Sequence, residues 1–233
     1  MHKYSIIVPS CDVFHLKESI GSLVKLTDFR ISDAEVIAVL NGCEPEAKQY
    51  IDSLGPHFSY IWHNNRIGVC KAMNIGVAAS TGEYVLKMDD DCILLEWGAN
   101  SHWLKLLEEP FKNRLVGQTG TIMDYYPDEY RKPYYSLMGC LVMTTRNIWD
   151  EVGGLDEEFS PGIGEDTDFS FKVQDLGYKL ALVGSKHEHK SGMFVNDYPL
   201  YHKSLANYNT DAEQLIKRNQ ALLKKKYSTS DPI

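Results

Sequence analysis

Four short apolar runs, each closed by polar residues and separated by segments of helical spacing, fill the first ninety residues, and this alternation leaves the chain few folds to choose from. "YSIIVPS", "AEVIAVLNG", "HFSYIWHNN" and "EYVLKM" are rich in β-branched and aromatic residues, as buried strands are. Between them, "HLKESIGSLVKL" spaces Ile20, Leu23, Val24 and Leu26 at helical intervals. "PEAKQYIDSL" begins with proline, and "GVCKAMNIGVAAST" is a small-residue helix stopped by Gly82. Strand, helix, strand, helix predicts a doubly wound, mostly parallel α/β sheet with helices on both faces. Right-handed crossovers then put every strand C-terminus on one edge, where open α/β sheets bind ligands. The four ends are Pro9-Ser10-Cys11-Asp12, Asn41-Gly42, Asn64-Asn65-Arg66 and Asp89-Asp90-Asp91. All are polar, and all converge on one crevice.

Composition narrows the function. The formal net charge of −8 argues against a protein that coats nucleic acid, which needs clustered Lys and Arg. With 43% hydrophobic and 24% charged residues in 233, the chain has enough apolar surface for one large domain. Cys11, Cys43, Cys70, Cys92 and Cys140 are odd in number and show no CxxC pair, which suits buried thiols in a reducing compartment. No apolar stretch approaches the length of a membrane span, and the first run is too short for a signal peptide, so the expectation is a cytoplasmic protein, soluble or peripherally associated with a membrane.

Beyond Trp97 the pattern loosens. "HWLKLLEE" spaces as a helix, "SLMGCLVMTT" and "KLALVGSKHEH" as strands, and "GEDTDFSFKVQDLGY" as an amphipathic helix with acids in its first turn. Residues 125–135, "YYPDEYRKPYY", hold five Tyr and two Pro and are expected to form a loop, either packed or offering its rings to a ligand. Trp97, Trp103 and Trp149 sit in helical contexts and are expected in the core. "DAEQLIKRNQALLKKKY" is a basic helix whose Lys224-Lys225-Lys226 end is expected in solvent or on a membrane surface. The expected organisation is one domain over 1–233: a regular strand–helix half at 1–96, a more mixed half at 97–195, and a helical tail at 196–233.

Three clusters can carry chemistry. Asp89-Asp90-Asp91 follows an apolar run; it is either a solvated acidic turn or a hard-oxygen site for Mg²⁺ or Mn²⁺ that leaves positions open for phosphates. Glu165, Asp166 and Asp168 in "GIGEDTDFS" open a helix; they either complement its dipole or supply a general base. His187 and His189 alternate on a strand and share a face, either structurally or with one imidazole as a metal ligand.

In order, "SIIVPSCD", "EVIAVLNG", "NRIGVCKAMNIGVAASTGEYVLKMDDD", "GCLVMTTRNIWDEVGGLDEEF" and "GEDTDFSFKVQDLGYKLALV" resemble the inverting family 2 glycosyltransferases with the GT-A fold, over residues 5 to about 192. The resemblance implies a nucleotide-binding sheet followed by a mixed acceptor half. It implies metal-dependent transfer of a hexose from a nucleotide sugar, a UDP-sugar first, to a hydroxyl of a glycan or lipid-linked acceptor, as in polysaccharide biosynthesis. It places Pro9, Ser10, Asp12 and Asn41 around base and ribose, and Arg66, Lys71 and Asn74 beside base or phosphates. "MDDD" is similar to the D-x-D element: Asp89 and Asp91 are its acids, Asp91 ligates Mn²⁺ or Mg²⁺ together with His189, and Asp90 lies nearer the ribose. Asp166 matches the catalytic base, and Glu165 its neighbour, holding acceptor or sugar hydroxyls. The chain departs from the pattern at Leu40-Asn41, where an acidic pair is common, and at Cys11, where an aromatic is frequent. The rival expectations are a sugar-phosphate nucleotidyltransferase and a catalytically silent nucleotide-sugar-binding module. Against the first, "PSCDVFHLKES" lacks the glycine-rich basic loop such enzymes carry after their first strand.

Overall fold

The computed structural model describes residues 2–96, 103–127, 129–184, 198–203 and 212–228, together with the backbone of 188–190 and 193–195. The first half is strand and helix in turn: β1 (Tyr4–Ser10), α1 (Val13–Leu26), the single-turn α2 (Phe29–Ser32), β2 (Ala34–Asn41), α3 (Glu46–Asp52), β3 (Phe58–His63), α4 (Val69–Ala79) and β4 (Tyr84–Met88). The second half carries β5 (Cys92–Leu94), α5 (Trp103–Glu108), β6 (Val116–Gly120), β7 (Met123–Tyr126), β8 (Tyr134–Leu137), β9 (Leu141–Thr145), α6 (Arg146–Val152) and α7 (Glu165–Asp175). It ends with β10 (Lys179–Leu182), β11 (Glu188–Lys190), β12 (Met193–Val195), β13 (Leu200–His202) and α8 (Ala212–Tyr227).

The central sheet has seven strands in the order β10-β6-β9-β4-β1-β2-β3. β9 alone runs against the others, pairing antiparallel with both β4 and β6. The expected mostly parallel sheet is therefore present, and Ser10, Asn41 and His63 end their strands on one edge. The two faces follow from the pleat. In β1, Ile6 and Val8 enter one core with Leu16, Ile20 and Leu23 of α1. Ile7 enters the other with Met73 and Val77 of α4. Asp12 starts α1 by accepting from the Phe14 and His15 amides at 2.8 and 2.9 Å.

The small residues of α4 have a packing reason. A Cβ at Gly76 would lie 2.4 Å from Cγ2 of Ile7 and 3.0 Å from Cγ2 of Val39, so only glycine lets the helix lie this close to the sheet.

Three features differ from the sequence expectation. The Tyr-rich stretch forms a hairpin, with Tyr125 opposite Tyr135 and Tyr126 opposite Tyr134. Alternation splits the rings: Tyr134 stacks on Phe171 at 4.1 Å between centroids, while Tyr125 and Tyr135 stack on each other at 4.6 Å and stay exposed. The "KLALVGSKHEH" strand ends at Leu182, and β11 begins at Glu188. The C-terminal helix α8 buries Leu215, Asn219, Leu223 and Tyr227, so it is packed onto the domain along a four-residue repeat. Lys224 and Lys225 are exposed as expected, but Lys226 is ion-paired with Asp156 and Asp168. Trp103 and Trp149 are buried, and Trp97 lies outside the described residues. Among the described residues no helix is long and apolar enough to cross a membrane.

Replacing Gly76 with Ala is expected to lower stability by about 1–3 kcal/mol through overpacking, read from urea unfolding midpoints. An unchanged midpoint would show that α4 can move away from β1 at little cost.

Candidate active site

The acids sit where β4 leaves the sheet. The Asp89 amide donates to the Cys140 carbonyl at 2.9 Å, and the Cys92 amide donates back to the Asp89 carbonyl at 3.1 Å, turning the chain into β5. β5 pairs antiparallel with β13, which sets His202 opposite Cys92. Nε2 of His202 then lies 3.3 Å from Oδ1 of Asp91. Both residues are buried, and the Lys203 amide donates to the Asp91 carbonyl at 3.1 Å. Asp91, His202 and the thiol of Cys92 bring one ligand atom each within 4.8 Å of one another. Carboxylate oxygen suits Mn²⁺ or Mg²⁺, and an imidazole nitrogen beside it suits a first-row transition ion, so these residues fit the Mn²⁺ that the resemblance implies. His202 is pushed up to about 9: burial opposes its charge, but the hydrogen bond to Asp91 and the nearby acids outweigh it.

Sequence reasoning missed His202. A lone histidine in a three-residue strand has no periodicity to mark it, and its partner strand is a hundred residues away in sequence. His189 lies on β11, and its side chain is outside the described residues, as is all of His187.

The remaining predicted residues divide by task. Ser10 donates to Oδ2 of Asp90 at 2.6 Å, tying the end of β1 to the acids. Asp90 is pushed up to about 6, first by burial and then by Asp89 and Asp91, with Ser10 acting against the shift. Pro9 is buried in β1. Asp12 caps α1. Asn41 accepts from the Ile67 amide, and Arg66 lies across Gly42, where an added Cβ would meet its Cγ at 3.0 Å. Lys71 is exposed on the first turn of α4. Asn74 commits its amide to Leu155, accepting from its N–H and donating to its carbonyl, each at 2.9 Å.

Glu165 and Asp166 arrive from the other side of the crevice. Gly164, at φ 88°, turns the chain into α7. Oδ2 of Asp166 accepts from the Gly139 amide at 2.8 Å, and Oδ1 from the Thr167 amide at 2.7 Å. A Cβ at Gly139 would lie 3.1 Å from both the Asp166 Cβ and Nζ of Lys87. The loop before β9, the start of α7 and the end of β4 thus touch at one glycine.

Lys87 joins the two sides. Its ammonium, 6% exposed, is ion-paired with Asp89 and donates to the Gly139 carbonyl at 2.7 Å. Burial works against its charge, but Asp89, Glu165 and Asp166 hold its pKa above the usual lysine value. Glu165 is buried, and its Oε2 has no hydrogen-bond partner among the described residues. Burial and the adjacent Asp166 push Glu165 up to about 7, with Lys87 opposing the shift. It lines a cavity of about 20 Å³ with Lys87, Gln118, Trp149 and Phe169, room for a single water.

Residues 5–170 match Glycosyl transferase family 2. The chain belongs to that family. No curated protein sequence matches it. Among solved structures, a mannosyltransferase PcManGT from Pyrobaculum calidifontis in complex with GDP-Man and Mn²⁺ is similar, at 18% identity and a TM-score of 0.61 over 78% of this chain and 54% of that one. GalNAc-T7 with UDP, GalNAc and Mn²⁺ is similar at 17% identity and TM-score 0.64 over 78% of this chain and 42% of that one. TarS 1–349 of S. aureus aligns at 16% identity and TM-score 0.61 over 96% of this chain and 72% of that one. This chain thus spans about half the length of the first two. At these identities the likeness is one of fold, and the fold is the GT-A arrangement of a large, mostly parallel sheet flanked by helices.

Lys87→Met would strand Asp89 and Glu165 without their cation. The expected loss is about 3–5 kcal/mol of stability, measured by denaturant unfolding. Glu165 binds its proton more tightly folded than unfolded, so the native state holds more protons from about pH 4.5 to 7 and stability falls as pH rises through that window. Removing Lys87 raises Glu165 further, so the variant's deficit deepens with rising pH. A pH-independent deficit would show that Lys87 does not act on Glu165 through charge.

Proposed function

We propose that this chain is a metal-dependent inverting glycosyltransferase that moves a hexose from a nucleotide sugar, a UDP-sugar first, to a hydroxyl of a glycan or lipid-linked acceptor. One observation carries the reading: an acid cluster with a histidine beside it and a second carboxylate pair are drawn to one sheet edge, linked through Lys87 and Gly139. Family membership and two fold neighbours whose structures hold a nucleotide or nucleotide sugar with Mn²⁺ support it.

In this reading Asp91 and His202 hold Mn²⁺ or Mg²⁺, with His189 as the alternative histidine. When bound, the cation neutralises charge on the diphosphate leaving group. Ser10 fixes Asp90 towards the ribose side, and Arg66 and Lys71 supply positive charge at the crevice rim. Asp166, with one oxygen held by the Gly139 amide, accepts the proton of the acceptor hydroxyl as that oxygen attacks the anomeric carbon from the face opposite the leaving group. A single displacement inverts the anomeric centre and requires no covalent enzyme intermediate. Glu165, buried behind Asp166, keeps the pair's second charge next to Lys87 and away from the hydroxyl. The exposed, stacked Tyr125 and Tyr135 lie on facing strands of the β7–β8 hairpin, whose β8 runs along α7 away from Asp166, where the more distant part of a glycan acceptor would rest.

A panel of UDP-, GDP- and dTDP-sugars with Mn²⁺ should release nucleoside diphosphate from one donor class. Pyrophosphate from a nucleoside triphosphate and a sugar phosphate would instead make the chain a nucleotidyltransferase, and no turnover with intact nucleotide binding would make it a silent module. Asp166→Asn is expected to lower kcat by about 10²–10⁴-fold while nucleotide affinity stays within about twofold. Wild-type turnover in that variant would remove the base assignment. His202→Ala is expected to weaken Mn²⁺-dependent UDP binding by at least about tenfold, with His189→Ala as the comparison. The larger loss in the His189 variant would move the ligand there.

A further inference from the structure

The turn that delivers Glu165 and Asp166 is strained. Ile163, a β-branched residue, sits at φ 69°, in the left-handed region, directly before the Gly164 that starts α7. Such a residue is strained and persists only where its surroundings over-determine it. The surroundings here are supplied by α8. Asn219, 1% exposed, points its amide nitrogen at three backbone carbonyls of this turn: Phe159 at 3.2 Å, Gly162 at 2.8 Å and Ile163 at 2.6 Å. Arg218 donates to the Glu158 and Ser160 carbonyls at 3.3 and 2.5 Å. Two helical turns further on, Lys226 pairs with Asp156 and with the fully buried Asp168, and the Tyr227 hydroxyl donates to Asp168 at 2.8 Å. α8 therefore grips the chain on both sides of the catalytic pair, from 156 to 163 and again at 168. None of these four residues lies within the family match, which ends at 170.

We propose that α8 is a brace for the base-bearing turn, and that Asn219 is a positioning residue that fixes the Asp166 carboxylate by holding the strained 159–163 backbone. The proposal rests on Asp166 being the base, as argued above. Along the buried stripe Leu215, Asn219, Leu223 and Tyr227, a leucine at 219 would fill the same space, but it would leave the turn's carbonyls without their donor. Asn219→Leu thus removes the brace while keeping volume. Exposed Arg218 offers a milder variant, Arg218→Ala, which acts on the same loop should Asn219→Leu fail to fold.

The test compares the wild-type chain with both variants by hydrogen exchange, by binding of UDP and of GDP with Mn²⁺, and by kcat and KM for whichever sugar nucleotide of the panel turns over. In Asn219→Leu, exchange across 159–166 is expected to rise at least about tenfold, with β1 to β3 unchanged. Nucleotide affinity and donor KM should stay within about twofold while kcat falls about tenfold or more, Arg218→Ala following in the same direction with smaller effects. Unchanged exchange in 159–166, an equal rise throughout the sheet, or a KM loss at constant kcat would each overturn the brace. If the wild type turns over no sugar nucleotide, the transferase reading fails, and exchange at 159–166 still decides whether α8 holds the turn.

Discussion

One buried ammonium makes the site's acidity tolerable. Asp89, Glu165 and Asp166 gather around Lys87, and like charges at such separations in a partly desolvated crevice repel by several kcal/mol at an effective dielectric near 20. Lys87 faces the crevice because it shares strand parity with Asp89 two residues on, while Leu86 and Met88 point into the core. Its three donors also suit the position. One meets the Asp89 carboxylate and another the Gly139 carbonyl. The N–H of the same Gly139 holds Asp166. The acid cluster after β4 and the carboxylate that opens α7 are thereby tied to one side chain.

Topology explains why the two carboxylate groups can meet at all. In a purely parallel sheet the loop before a strand lies at the edge opposite the ligands. β9 runs the other way, so its entry loop, 138–140, arrives at the C-terminal end of β4, where Leu141 pairs with Met88 and the Cys140 carbonyl caps the Asp89 amide. The single reversed strand is what carries Gly139 to the acids. A Cβ there would sit 3.1 Å from both the Lys87 ammonium and the Asp166 Cβ, so a larger residue at 139 would press on the two side chains that the loop brings together.

Local signals were legible and long-range ones were not. The four apolar runs fixed the strands of the first half, and their polar ends marked the edge, because hydrophobic period and strand termination are properties of neighbouring residues. The acid triplet and the "GED" turn stood out for the same reason. His202 did not, since only the β5–β13 pairing gives it a partner, and the alternating His187 and His189 drew attention instead. Lys87 was hidden inside an apolar run that read as plain strand. In "DAEQLIKRNQALLKKKY" the clustered lysines suggested a solvated end. The signal that mattered was an asparagine at the second place of a four-residue apolar repeat, where a polar side chain earns burial only by meeting backbone.

The first turn of α7 shows how one acidic stretch serves separate ends. Its carboxylates are all favoured by the helix N-terminus, but 100° per residue sends them apart. Asp166 and Asp168 are 200° from each other, so when one faces the crevice the other must face away. Asp168 meets Lys172 from its own helix at 2.8 Å and Lys226 and Tyr227 from α8. Glu165, between these directions, goes into the interior beside Lys87. The acid that anchors the helix from behind sets the direction of the acid in front, so the aim of Asp166 depends on buried charge pairing on the far side of α7.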